Sequence, residues 1–189
     1  DRLGDRSEAN IAARRRATRA FLDRANGLAE AGLSANDAVT LRLLRQELGA
    51  DVRSYVCEYE LWSLSPRNNP VTEWNQLHEN HQVQSVEDGR NLVARYRQIA
   101  SVIDSDGANL RRGVKRGLYA NAESTRRVVD MLEKQLAQPF GEWPLLTPTK
   151  KPHDAWPKAE LGRFRKELHG AVQAQVKPAL ERYLAVVKG

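Results

Sequence analysis

Leu41, Leu44, Leu48, Val52, Tyr55, Tyr59 and Trp62 follow one another at steps of three and four residues. That is the spacing of one face of an α-helix, and no strand produces it. The rhythm predicts a helix from Ser34 to about Ser63, roughly 45 Å long at 1.5 Å per residue, with this row buried. Ser34 and Asp37 open it with the spacing of a capping box, and Pro66 and Pro70 close it.

The same rhythm returns along the chain. An earlier helix is expected from Ser7 to Asn26, burying Ile11, Phe21, Leu22 and Ala25 with Thr18 on the same face, and Gly27 can end it. From Ser65 to Gln84 the chain turns polar, rich in Asn and Gln, and reads as a loop. Ser85 and Asp88 repeat the helix-opening chemistry before a third stripe of Leu92, Tyr96, Ile99, Ile103, Leu110, Val114 and Leu118. Asp104, Asp106 and Gly107 are expected to bend or interrupt that helix. Asn121 can cap a fourth, with Val128, Leu132 and Leu136 inward.

Five of the eight prolines lie between Pro139 and Pro157, together with Phe140, Trp143, Leu145, Leu146 and Trp156. Proline excludes helix across most of this stretch, and its apolar content points to an ordered strap on the helices. A last helix from Lys158 to Val187 carries Leu161, Phe164, Leu168, Val172, Val176, Tyr183 and Val187, and Pro178 must kink it. No useful stretch alternates with a period of two. The expected fold is all-α: a single helical domain over residues 1–189, a bundle of five to six long amphipathic helices with a Pro-rich ordered strap before a kinked C-terminal helix.

Composition changes this picture little. Hydrophobic residues make up 41% and charged residues 29%, a mix suited to helices with one dry and one wet face. The net charge is +6, and 22 of the 30 basic residues are arginine. Acidic residues are interspersed throughout, so the charge by itself signals weak non-specific attraction, and no nucleic-acid partner is expected. The single cysteine, Cys57, excludes an internal disulfide and leaves both redox compartments open. No apolar run reaches the ~20 residues that span a bilayer. Asp1 to Asn10 is polar and lacks an initiating Met, which reads as a processed or excised start.

Candidate chemistry is sparse. His78-Glu79-Asn80-His81 brings two imidazoles and a carboxylate together, but a zinc-peptidase helix needs its histidines at i and i+4, and here the second stands at i+3. The segment is expected to tie a loop down, with no metal bound. Arg111, Arg112, Lys115 and Arg116 form a basic stripe that could grip an anion or an acidic partner, although a solvated face is the commoner reading. Gly107, Gly113 and Gly117 follow helical rhythm and form no phosphate loop. No Ser-His-Asp set can be nominated. No catalytic residue is assigned.

Four segments carry a family resemblance. They are Leu44 to Leu61 (LRQELGADVRSYVCEYEL); Trp74-Asn75-Gln76-Leu77 leading into Ser85 to Tyr96; Leu110 to Gly117 followed by the Arg126-Arg127-Val128-Val129 helix and Pro139-Phe140; and Val176-Lys177-Pro178-Ala179-Leu180. In this order they resemble the N-terminal half of the bacterial domain of unknown function 885 family. The resemblance implies a mostly helical relative of zinc peptidases, often exported or lipid-anchored, whose His-Glu-x-x-Pro-Gly-His type motif lies downstream of the matched region. No such motif occurs before Gly189, so zinc is expected in a C-terminal catalytic half, and that half, from the same precursor or a separate chain, is the expected partner. What the resemblance implies for this chain is one wall of a peptide-substrate cleft, with Asn75, Gln76 and His78 as cleft contacts. A free-standing helical interaction module without chemistry is the alternative, and a nucleic-acid or acidic-ligand binder using the Arg111 to Arg116 stripe a third.

Overall fold

The computed structural model describes residues 2–189, and these form nine α-helical segments: α1 (Glu8–Gly27), α2 (Ala35–Ser54), α3 (Pro70–Asn75), α4 (Leu77–Asn80), α5 (Val86–Lys115), α6 (Ala122–Ala137), α7 (Thr147–Lys150), α8 (Lys158–Ala171) and α9 (Lys177–Lys188). No β-strand occurs among the described residues; one isolated bridge joins Ser65 and Asn68. The fold is all-α. Six of the helices have twelve residues or more, and short 3-10 turns and small helices fill the connections.

The backbone divides into two compact units, one of residues 6–59 and one of residues 60–189 together with the first few residues. The smaller unit is a helical hairpin. Ser7 caps α1 by accepting a hydrogen bond from the Asn10 amide, and Ser34 caps α2 by accepting one from Asp37. Arg45 pins the turn, donating to the Ala25 and Leu28 carbonyls and pairing with Glu30 at 2.7 Å. Arg15 and Arg19 lie over the Tyr55 ring.

Three expectations for this unit are corrected. Phe21 does not join the buried face but is 55% exposed. The long helix stops at Ser54 rather than Ser63: a 3-10 turn over Tyr55–Cys57 follows, and then Glu58 takes a left-handed φ of 44°. A non-glycine residue there cannot propagate a right-handed helix. The opening row is therefore only partly covered, with Leu41 buried but Leu44 and Tyr59 exposed.

The larger unit holds the main core. Ser85 opens α5 with a complete capping box, in which Asp88 also accepts from the Ser85 amide. The Leu92, Tyr96, Ile99 and Ile103 face of α5 is fully covered and packs against α8 and α9. Gly107 does not break α5, which runs unbroken for 30 residues. It is a close-packing position instead, where a Cβ would sit 3.5 Å from Val186 and 3.6 Å from Tyr183. The expected bend at Pro178 takes the form of a π-helical turn over Val172–Val176 inside a continuous helix, a register change directly before Pro178 that accommodates its missing N–H. The strap is ordered and buries Trp143, Leu145, Leu146 and Trp156. Tyr96 donates its hydroxyl to the Leu145 carbonyl at 3.1 Å, and the Trp156 indole donates to the Gln84 carbonyl at 3.1 Å.

Candidate functional site

The stretch read as a polar loop contains α3 and α4. Asn69 organises it. Its Oδ1 accepts from the Val71 and Thr72 amides, and its Nδ2 donates to the Ser65 and Pro66 carbonyls. With Pro70 at the first helical position this starts a helix from sequence that looks like loop. α3 then places Trp74 in the core and Asn75 beside Gln135 of α6. The Asn75 amide donates to Gln135 Oε1 at 2.9 Å. Asn75 Oδ1 and Gln135 Nε2 are covered and have no partner among the described residues. Turning both amides over reverses the one bond and again leaves one donor and one acceptor unmet.

Gln76 stands exposed at the junction of α3 and α4, apart from this pair. His78 is half-buried, its Nδ1 covered and unpartnered among the described residues. His81 Nε2 lies 3.1 Å from the Asp88 carbonyl oxygen. Among the described residues no three His, Cys, Asp or Glu side chains gather as a metal-binding group.

Burial pulls the His81 imidazole below the ordinary histidine range. The hydrogen bond to the Asp88 carbonyl resists this, and the Arg95 charge adds a smaller push downward. The folded state therefore binds the proton less readily than the unfolded chain. His81 contributes stability above the ordinary histidine value, and that contribution is lost as pH falls through the lowered one. Urea midpoints compared at neutral and mildly acid pH should fall more steeply for the wild type than for His81→Gln. Parallel profiles would contradict this.

The basic stripe is not one surface. Arg111, Lys115 and Arg116 are exposed, while Arg112 is half-buried and donates to Asn109 Oδ1 at 3.2 Å. Arg126 and Arg127 both hold Glu123, at 2.9 and 2.7 Å. Their hydrogen bonds bring the Glu123 carboxyl down to about 2.

No stripe or motif announces a groove of about 560 Å³ at one end of the larger unit. Leu61, Leu64, Leu110, Leu118, Val129 and Val187 make its apolar lining, and Arg126 and Lys188 stand at its edge. Two glycines build it. At Gly113 a Cβ would fall inside the Leu61 carbonyl oxygen, so only glycine lets the 61–64 segment lie against α5. Gly117, at φ 73°, ends α5, and the Leu118 amide returns to the Gly113 carbonyl at 2.9 Å. That reversal turns Leu118 back into the lining. Both glycines are plain in the sequence. Their i, i+4 spacing at the end of an apolar stripe is the signal that could have marked a backbone crossing.

The family model settles the kinship. The chain belongs to the DUF885 family. The family is described as a bacterial protein of unknown function, and its model matches residues 1–189. No curated protein matches the chain. The resemblance read from the four segments is thus borne out at the level of the DUF885 family. No helix among the described residues is long and apolar enough to cross a membrane.

Proposed function

We propose that this DUF885 chain is a non-catalytic helical portion of a zinc-dependent metallopeptidase or related hydrolase, forming one wall of the substrate cleft. The observation that carries this reading is the groove, an apolar trough open along one side and built from the ends of three long helices. A trough of this volume and lining suits side chains of a peptide held from one side. A wall needs no reactive group of its own. The zinc, its water and a general base would be supplied by a catalytic part, which would also close the open side. Asn75, Gln76 and His78 lie outside the groove lining, and the unpartnered Asn75 Oδ1 and His78 Nδ1 are covered, so the reading rests on the groove alone.

The test is a mixture of quenched-fluorescence peptides presented to the purified chain with zinc. Peptides should bind without being cut. Zinc-dependent turnover by this chain alone would contradict the proposal, and so would failure of every peptide to bind.

A second reading, an interaction module without chemistry, is favoured by α2. Val39, Leu43 and Leu44 are all exposed there, with Leu43 at 54%. If that row binds a partner protein, replacing the three by Ser should abolish association and leave peptide binding at the groove intact.

A further inference from the structure

We propose that the groove selects peptides whose apolar side chains are flanked by acidic residues, and that Arg111 and Lys115 make the selection. This rests on reading the groove as a cleft wall.

The argument is one of uncompensated charge beside an apolar trough. Both cations that line the groove are already met, Arg126 by Glu123 and Asp130 and Lys188 by Glu133. Arg111 and Lys115, which stand next to the lining, differ. Both are exposed, and neither side chain has an ion pair or hydrogen bond among the described residues. They stand one turn apart on α5, each directly following a groove-lining residue, Leu110 and Val114. One residue along a helix is about 100° around it, so the two cations form a row beside the apolar row. Any chain segment seated on Leu110 and Val114 passes within a Debye length of both. Val114 and Tyr119, both in the lining, are 52% and 67% exposed and present apolar surface to solvent. An exposed apolar surface bordered along α5 by two unpaired cations complements a ligand with apolar side chains and the opposite charge.

Three labelled peptides test this. They share a Leu-x-x-Leu-Leu core and carry Glu, Gln or Lys at every other position. Fluorescence anisotropy reads their affinity for the intact chain. At low salt the Glu peptide should bind about tenfold more tightly than the Lys peptide, and the gap should close at roughly 0.5 M salt. Arg111→Glu with Lys115→Glu, both at exposed positions, should reverse the order while circular dichroism stays unchanged. Val114→Ser, which removes apolar surface without adding charge, should weaken all three. Equal binding of the three peptides overturns the selection and leaves the wall intact. No binding of any peptide overturns the wall reading and the selection with it. Preferential capture by phosphatidylglycerol vesicles over the Glu peptide also overturns the selection.

Discussion

Gly113→Ala should destabilise the chain by roughly 3 kcal/mol, near the upper end for overpacking in a well-filled core. The obstacle is the Leu61 carbonyl oxygen, which is backbone and has no rotamer to swing away. Relief requires the 61–64 segment to lift from α5, which takes Leu61 (2% exposed) out of the core and unroofs the groove. The control is Gly162→Ala. Gly162 also lies inside a helix, α8, but a Cβ there meets nothing within 4 Å. Helix propensity alone then acts, and that change should stabilise by up to about 1 kcal/mol. Urea unfolding of both variants gives the comparison. A loss under ~1 kcal/mol for Gly113→Ala would show that the crossing is looser than described.

Trp143→Ala should cost about 3–5 kcal/mol, as large aromatic truncations in cores do. Trp143 is 1% exposed, stacks at a tilt on Phe140 with ring centroids 5.3 Å apart, and donates its indole N–H to the Gln138 carbonyl. It fixes the start of the strap to the core. Tyr96→Phe is the milder counterpart, removing only the hydroxyl that holds the Leu145 carbonyl, for about 1 kcal/mol. Both are read as shifts in the urea midpoint. If Trp143→Ala cost no more than Tyr96→Phe, the strap would be a passive cover, not part of the core.

Local signals were legible in the sequence because local forces act there. Ser7, Ser34, Ser85 and Asn121 each cap the helix they were expected to open, since a side-chain oxygen meets the amide three residues on. The strap was legible for a similar reason, because proline and buried aromatics conflict with both helix and free linker. The premature end of α2 was not. The apolar rhythm runs straight through Glu58, and nothing in its neighbours announces a left-handed residue. Gly107 is ambiguous in the sequence because glycine looks the same whether it breaks a helix or admits a neighbour; only the presence of Tyr183 and Val186 decides. The Asn75–Gln135 bond joins residues 60 positions apart, and the groove gathers residues from 61 to 189. Asn75 stood out by resemblance, but its partner could not be found from spacing.

The most direct measurement is a methyl-labelled NMR titration of the chain with the acidic peptide in the presence of zinc. The account predicts shifts concentrated on Leu61, Leu110, Val114, Leu118 and Val187, with the peptide intact throughout. Shifts centred elsewhere, or resonances of peptide fragments growing in with time, would contradict it.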